Sequence, residues 1–228
     1  MEQKRCWICG AGDFTSRLLS PKAEDLVLAA DGGLAFLQKA GIVPSHILGD
    51  FDSLGYLPQG DNVTSFPPEK DDPDMLLAVK YGMERGCDTF YIYGSLGGRL
   101  AHTVSNVQAL RYLSEQGRHG FLVDGQTVVT LIRNECVRFD AGCRGYLSVF
   151  PHGGAAEGVT ISGMKYNVED FTMTADSMRG LSNEFADGPG EISVQRGALL
   201  LLWEDAASDF GKVHFGPLPG GAGQTGEV

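Results

Sequence analysis

The sequence lacks a long apolar run and an excess of basic residues, and each absence excludes a class of function. No stretch reaches the roughly 18 consecutive apolar residues of a membrane-spanning helix, so we expect no membrane partner. Lysine and arginine number only 18 against 29 aspartates and glutamates, which gives a formal net charge of −11. General nucleic-acid binding requires a basic surface, so we expect no nucleic-acid partner either.

The sequence also lacks the cysteine pattern of a metal-binding or disulfide-rich domain. Cys6 and Cys9 form a C-x-x-C pair, but no second pair with metal-ligand spacing follows. A buried first strand that contains two cysteines is therefore favoured over a redox or metal pair. The N-terminal residues MEQKRCWICG lack the apolar stretch and cleavage site of a secretory signal. We expect a cytoplasmic protein.

Short apolar segments alternate with helical ones through the first half of the chain. Predicted strands include RCWIC, EDLVLAA, PSHILG and DTFYIY, and predicted helices include LAFLQKAG, PDMLLAVKYGMERG, AHTVSNVQALRYLSEQG and a short candidate at SRLLSP. This rhythm is typical of a mainly parallel sheet with helices on its faces. After residue 117 only short strands follow, separated by Gly, Asp and Pro, which predicts an all-β part.

These patterns predict a fold with two domains. We expect an α/β nucleotide-binding domain with a mainly parallel sheet at residues 1–130 and an all-β sandwich domain at 131–205. Residues 206–228 are rich in Gly and Pro and predict a loose tail.

Glycine and aspartate are concentrated where the predicted parallel strands end, which is where open α/β sheets bind ligands. The loops in question are Gly10–Gly12, Asp31–Gly33, Gly49–Ser53, Lys70–Asp74 and Gly94–Arg99. Residues i and i+2 of an extended chain point the same way, so Asp50 and Asp52 should face one site while Phe51 packs inward. Two such carboxylates can hold Mg²⁺. Asp71 and Asp74 form a second acidic pair around a helix start, for which helix capping is the alternative interpretation.

The segment GSLGGRLAH predicts a phosphate-binding loop. Glycines let the backbone approach a phosphate group, and the start of the following helix supplies N–H groups. Arg99 offers a forked donor for phosphate oxygens. His102 and Asn106 are spaced i and i+4, so they share a helix face. An ordinary strand-to-helix turn with a surface arginine and a packing histidine is the alternative interpretation.

Six motifs together resemble the thiamine pyrophosphokinase family in order and spacing, over roughly residues 6 to 203. They are ADGG, PSHILGDFDSLG, EKDDPD, YGSLGGRLAHTVSN, SGMKYNV and GLSNEF. The resemblance implies transfer of a diphosphoryl group from ATP to the hydroxyl of thiamine, with release of AMP. It also implies a homodimer with active sites at the subunit interface, and it agrees with Mg²⁺ as the cofactor.

The loops and the resemblance together assign roles to individual residues. The predicted catalytic residues are Asp50, Asp52, Asp71 and Arg99. The predicted metal ligands are Asp50, Asp52, Asp71 and Asp74. The predicted nucleotide contacts are Asp31, Gly32, Gly33, Gly97, Gly98, Arg99, His102 and Asn106. The predicted contacts to the second substrate, thiamine, are Ser53, Ser182 and Asn183.

Two positions depart from the family pattern. Ala101 stands where the family usually has Asp, and Pro73 stands where it usually has Thr. Loss of a carboxylate and a hydroxyl beside the phosphates leaves two alternatives open. The protein could transfer diphosphate to another small alcohol such as a pterin, or it could bind nucleotide or thiamine without catalysis.

Overall fold

The chain divides into two units, residues 1–128 and 129–228. Within residues 4–128 of the first unit, six strands form a parallel sheet that is accompanied by three helices. The computed structural model describes residues 4–204 and 209–219. The elements of the first unit are β1 Arg5–Cys9, β2 Leu26–Ala30, α1 Gly33–Lys39, β3 His46–Gly49, β4 Val63–Ser65, α2 Asp74–Glu84, β5 Thr89–Tyr93, α3 Leu100–Glu115 and β6 His119–Asp124. The strands lie in the order β6–β5–β1–β2–β3–β4, and all neighbouring pairs are parallel.

The central strands of this sheet are apolar on both faces, as expected of a parallel sheet with covered faces. All five residues of β5 are buried. Gly82 lets α2 approach the sheet closely, because a Cβ at this position would lie 2.7 Å from the Phe90 ring and 2.9 Å from Cys6 Sγ. In the part of the chain that the structure describes, no helix is long and apolar enough to cross a membrane.

The second unit is built from antiparallel strands. In chain order these are β7 Thr127–Arg133, β8 Cys136–Phe139, β9 Tyr146–Pro151, β10 Ala156–Ser162, β11 Val168–Met173, β12 Asn183–Glu184, β13 Gly190–Ser193, β14 Ala198–Glu204 and β15 Val213–Gly216. One group lies in the order β12–β9–β14–β7 and the other in the order β11–β10–β13–β8–β15. Phe139 of β8 contacts Trp203 of β14 edge to face, with ring centroids 5.6 Å apart, so apolar side chains of both groups share a core. The predicted change from a parallel sheet to antiparallel strands is present, and the description as a sandwich stays a prediction.

The predicted helix at SRLLSP is wrong. Residues 16–21 contain a turn at 17–18 and no helix. Leu18 has a φ of 60°, in the left-handed region, and this conformation interrupts a right-handed helix. Residues 10–25 therefore form a long loop between β1 and β2.

The prediction of a loose tail is wrong for residues 209–219. Asp209 accepts a hydrogen bond from Gly211 N at 2.9 Å and caps a 3₁₀ turn, Phe210–Lys212. β15 then pairs with β8, with Val213 opposite Phe139. An edge strand needs only a few backbone hydrogen bonds, so a Gly- and Pro-rich composition did not prevent it from forming. Residues 206–208 and 220–228 of the predicted tail lie outside the described residues.

Asp25 anchors the first unit just before β2. It is 8% exposed. Its carboxylate accepts hydrogen bonds from Arg5 Nε at 2.9 Å and Nη2 at 2.8 Å, and from Trp7 Nε1 and Lys22 N at 2.8 Å each. Burial alone would raise the pKa of Asp25, but these hydrogen bonds outweigh it and the pKa is lowered. The folded state therefore favours the ionised carboxylate.

The Asp25→Asn variant should lose about 2 kcal/mol of unfolding free energy at pH 7, because a neutral amide cannot accept all four donors. Since the folded-state pKa is depressed, the contribution of this carboxylate is fully present above the pKa of unfolded aspartic acid, about 3.9. It is lost as the pH falls through the lower pKa of the folded state. Urea unfolding at pH 7 and pH 3 should show the difference between variant and wild type shrinking at the lower pH. The exposed Asp61→Asn change is the control, and equal stability of the two variants at pH 7 would contradict the prediction.

Candidate functional site

The loops that follow β1, β2, β3 and β5 meet at the carboxyl edge of the parallel sheet. Gly12 N donates to Gly94 O at 3.0 Å, which joins the loops after β1 and β5. A Cβ on Gly32 would lie 3.0 Å from Ala11 Cβ and 3.4 Å from Ser53 Cβ. The loops after β1, β2 and β3 are therefore also in contact. Four of the loops predicted from the sequence form one continuous surface.

Three carboxylates converge on this surface. Oxygen atoms of Asp31, Asp50 and Asp52 all lie within 4.8 Å of one another, close enough to share a metal ion. Ser53 Oγ donates to Asp31 Oδ2 at 2.5 Å and lies 3.0 Å from Asp52 Oδ1. Asp31 Oδ1 is buried, and no donor among the described residues reaches it. A divalent cation would satisfy this oxygen, so the donor set fits Mg²⁺.

Asp50 and Asp52 converge through a turn rather than through strand alternation. β3 ends at Gly49, and Phe51 has a φ of 62°, so the predicted extended conformation of this segment is wrong. The Phe51 ring is 4% exposed and packs inward, as predicted. Burial of an aromatic ring offsets the roughly 1–3 kcal/mol that a left-handed conformation costs a bulky residue. Packing of this ring therefore helps to hold the two carboxylates in place.

Lys70 is a cation of this site that its position in the sequence did not predict. Its Nζ lies 2.7 Å from Asp50 Oδ2 and 2.9 Å from Asp74 Oδ1, and its side chain is 13% exposed. Burial alone would lower the pKa of Lys70, but the hydrogen bonds to both carboxylates raise it. The hydrogen bond from Lys70 lowers the pKa of Asp50, so Asp50 is ionised at neutral pH. Burial raises the pKa of Asp74 against the opposing effect of Lys70.

Two further acids of the DDPD segment, Asp71 and Asp72, lie outside the group formed by Asp31, Asp50 and Asp52. Asp72 Oδ2 pairs with Lys80 Nζ at 2.5 Å, and Asp71 is exposed. Among residues 4–204 and 209–219, the group of acids that could share an ion contains neither Asp71 nor Asp74. Asp31 lies with the acid pair after β3, and its predicted contact to the nucleotide stays a prediction. Metal ligation by Asp71 and Asp74 stays a prediction.

The loop Gly94–Arg99 has the backbone form that a phosphate-binding loop requires. Gly97 and Gly98 have φ values of 75° and 57°, which glycine adopts without strain. α3 begins directly afterwards, with the exposed Arg99 as its N-cap. The first N–H groups of α3 and a guanidinium thus lie side by side, an arrangement that suits a phosphate group.

Two side chains of α3 hold this loop. Asn106 is buried and donates from Nδ2 to Ser95 O at 2.7 Å, and Thr103 Oγ1 donates to Gly97 O at 3.3 Å. His102 is exposed. The structure thus gives Asn106 a role in shaping the loop, which its i, i+4 spacing did not reveal. Nucleotide contact by His102 and Asn106 stays a prediction.

Neither departure from the family pattern disturbs the local backbone. Pro73 is the N-cap of α2, and its carbonyl accepts Leu76 N at 2.9 Å and Leu77 N at 3.1 Å. An N-cap N–H has no partner within the helix, so proline costs no helical hydrogen bond here. Ala101 is exposed in the first turn of α3, where it leaves the charge of Arg99 without a neighbouring carboxylate at that position.

Asn183 is tied to the backbone of the second unit. It is 5% exposed. Its Oδ1 accepts Tyr166 N and Glu184 N, each at 2.9 Å, and its Nδ2 donates to Tyr166 O at 2.7 Å. Ser182 has a left-handed φ of 57°, and its N–H donates to Ser148 Oγ at 3.0 Å. Asn183 therefore fixes the segment of the exposed Tyr166, and thiamine contact by Ser182 and Asn183 stays a prediction.

Two family models match the chain in succession. Residues 19–121 match the model described as thiamin pyrophosphokinase, catalytic domain. Residues 135–199 match the model described as thiamin pyrophosphokinase, vitamin B1 binding domain. The first match falls within the first unit and contains Asp31, Asp50 and Asp52, which we call the three-acid group. The second falls within the antiparallel unit.

Known proteins are similar to this chain over most of its length. Thiamine pyrophosphokinase of Bacillus subtilis (strain 168) is 28% identical over 185 residues, which covers 78% of this chain and 86% of that protein. The crystal structure of thiamine pyrophosphokinase from Bacillus subtilis superposes with a TM-score of 0.79 at 24% identity, covering 90% of this chain and 100% of the other. That of thiamin pyrophosphokinase from Geobacillus thermodenitrificans gives a TM-score of 0.76 at 26% identity, covering 90% and 99%.

Proposed function

Because the chain belongs to the thiamine pyrophosphokinase family, we propose that it transfers a diphosphoryl group from ATP to the hydroxyl of thiamine, giving thiamine diphosphate and AMP. The observation that carries this conclusion is the succession of a catalytic and a vitamin B1 binding model along one chain. The relative from Bacillus subtilis, named thiamine pyrophosphokinase, supports the same conclusion. The protein is an ATP-dependent transferase.

The proposed magnesium site is the three-acid group. Asp31, Asp50 and Asp52 offer oxygens within 4.8 Å of one another. Asp31 Oδ1, which is buried and has no partner among the described residues, supports this assignment. When bound, Mg²⁺ would neutralise charge on the ATP phosphates and orient them. Asp71 and Asp74 are proposed as further acids of this site. The net charge of −11 supports the need for a cation when this protein binds a polyanion.

In the proposed reaction, the side chains mainly position the two substrates and neutralise the charge of the phosphates. The thiamine hydroxyl oxygen forms a bond to the β-phosphorus of ATP, and the bond from that phosphorus to the oxygen shared with the α-phosphate breaks. AMP leaves with that electron pair, and an aspartate of the group accepts the hydroxyl proton. Arg99 neutralises charge on the transferred group or on the departing AMP. No covalent enzyme intermediate is needed.

The substrates are proposed to bind on separate elements. The nucleotide is placed on the glycine loops and the start of α3, with contacts from Asp31, Gly32, Gly33, Gly97, Gly98, Arg99, His102 and Asn106. Contacts to thiamine are proposed for Ser53, Ser182 and Asn183, with the last two in a β-sandwich domain. The proximity of Ser53 Oγ to two carboxylates, at 2.5 Å and 3.0 Å, supports its place beside the reacting groups.

A cytoplasmic homodimer with active sites at its interface completes the proposal. Leu100 is 76% exposed and Val104 is 54% exposed on the first turns of α3, directly after Arg99. Two large apolar side chains in water beside a candidate site support the presence of a covering subunit.

The proposed acceptor is tested by one ATP assay with several alcohols. Purified protein with ATP and magnesium chloride should release AMP at a rate that rises steeply when thiamine is added. A hydroxymethyl pterin should not raise the rate above that without an acceptor. A larger increase with the pterin would identify it as the substrate. Tight thiamine binding by calorimetry without AMP release would instead indicate a binding protein.

A further inference from the structure

Arg17 lies in the long loop between β1 and β2, just before residues 19–121 matched by the catalytic family model. Its Nη1 and Nη2 atoms are both buried, and neither has a hydrogen-bond partner within the described part of the chain. A guanidinium is charged at every physiological pH. Burial of a charge without a counter-charge is strongly unfavourable. The observation therefore points to an anion beyond the described residues, and a bound ligand is the candidate with matching charge.

The backbone of Arg17 is tied to the candidate site. Tyr93 Oη donates to Arg17 O at 3.2 Å, and Tyr93 is the last residue of β5, directly before the loop Gly94–Arg99. Gly10 N donates to Tyr93 O at 2.8 Å, so the start of the Arg17 loop is fastened to the same residue. Burial raises the pKa of Tyr93, while the positive charge of Arg17 acts in the opposite direction. The guanidinium is thus close enough to interact with this phenol.

Two lysines of the first unit are neutralised by carboxylates. Lys70 is paired with Asp50 and Asp74, and Lys80 is paired with Asp72. Arg17 differs from both lysines because its guanidinium nitrogens are buried and have no partner in the part of the chain that the structure describes.

We propose that Arg17 binds a phosphate group of the polyphosphate chain of the nucleotide, an assignment that rests on the proposed function. A guanidinium presents two parallel N–H donors that match two phosphate oxygens. The Tyr93 hydroxyl donates to the Arg17 carbonyl, and Leu18 has a left-handed conformation. Both features fix the backbone on which the Arg17 side chain stands. Arg17 and Arg99 thus both neutralise phosphate charge of the nucleotide. Arg17 lies in the loop of residues 10–25, which contains none of the six family motifs.

The test compares wild type with Arg17→Gln, Arg17→Lys and Arg85→Gln. Arg85 is the C-cap of α2, and its guanidinium stacks on the Tyr81 ring. Its variant therefore controls for the loss of one positive charge outside the candidate site. Calorimetry measures the affinity for ATP and for inorganic tripolyphosphate, each with magnesium chloride. Thermal unfolding measures each protein without ligand.

Arg17→Gln should weaken both ligands by about tenfold to a hundredfold. Its melting temperature without ligand should equal or exceed that of wild type, because the change removes a buried, unpaired charge. Arg17→Lys should bind with intermediate affinity, and Arg85→Gln should bind as wild type does.

These measurements distinguish failure of the Arg17 assignment from failure of the proposed function. If wild type binds ATP and Arg17→Gln binds it equally well, the assignment of Arg17 is wrong and the proposed function is untouched. A lower melting temperature of Arg17→Gln without loss of affinity would show a structural role and would also overturn the assignment. If wild type binds tripolyphosphate but not ATP, the proposed function fails, and weaker tripolyphosphate binding by Arg17→Gln still supports an anion site. If wild type binds neither ligand, both proposals are overturned.

Discussion

The Asp52→Asn variant is expected to turn over ATP and thiamine about a hundredfold to a thousandfold more slowly than wild type. Asp52 is exposed near the start of the loop after β3, and a carboxylate oxygen lies within 4.8 Å of oxygens of Asp31 and Asp50. The amide keeps the shape of the side chain but removes one negative charge from the proposed metal site. The loss should appear in turnover at saturating substrate, while the fold stays intact.

Asp72→Asn is the matched control for this change. It removes an acid of the neighbouring DDPD segment whose partner is Lys80, outside the three-acid group. Its turnover should stay within a few-fold of wild type. Both variants should have the circular dichroism spectrum of wild type. Turnover of Asp52→Asn close to that of the control would reject the role of Asp52 in the metal site.

The Arg99→Gln variant is expected to lose about a hundredfold in turnover, because a guanidinium aimed at developing phosphate charge acts mainly in the transition state. Arg99 is exposed at the N-cap of α3, so no packing is lost when it is replaced. Lysine restores charge but not the forked geometry, so Arg99→Lys should recover only part of the rate.

Arg111→Gln is the control on the same helix. Its Nε pairs with Glu115 Oε1 at 2.7 Å, near the opposite end of α3 from Arg99. Turnover and KM are measured for ATP and thiamine separately. A rise in KM without loss of turnover would show that Arg99 contributes binding alone. Equal turnover in Arg99→Gln and Arg111→Gln would contradict its role in the reaction.

Much of the fold could be predicted because buried strands contain runs of apolar residues, which are visible in the sequence. The residues of β1 and β5 read as near-continuous apolar strands, and Gly-Asp loops mark their carboxyl ends. The edge strand β15 could not be predicted from its composition. Its pairing with β8 depends on a partner more than 70 residues away in the chain, Val213 opposite Phe139.

The site was predictable where it follows directly from strand ends, and less so where side chains cross between loops. The convergence of Asp50 and Asp52 was expected, but the left-handed turn at Phe51 that produces it depends on burial of that ring. The ion pairs of Lys70 join residues of different loops, which spacing along the chain does not reveal.

The position of Arg17 was missed for a related reason. Its segment read as a short helix, whereas Leu18 takes a φ of 60° and turns the chain into a loop. Only the three-dimensional arrangement shows that the guanidinium nitrogens are buried and find no partner among residues 4–204 and 209–219. An isolated arginine outside a recognisable motif carries no such signal in the sequence.

The central claim is metal-dependent transfer of a diphosphoryl group from ATP to thiamine. The most direct test is to incubate the purified protein with ATP, magnesium chloride and thiamine and to quantify AMP and thiamine diphosphate in the same sample. Both products should form in equal amounts, and neither should form when the metal is chelated. AMP without thiamine diphosphate, or neither product from folded protein that still binds thiamine, would contradict it.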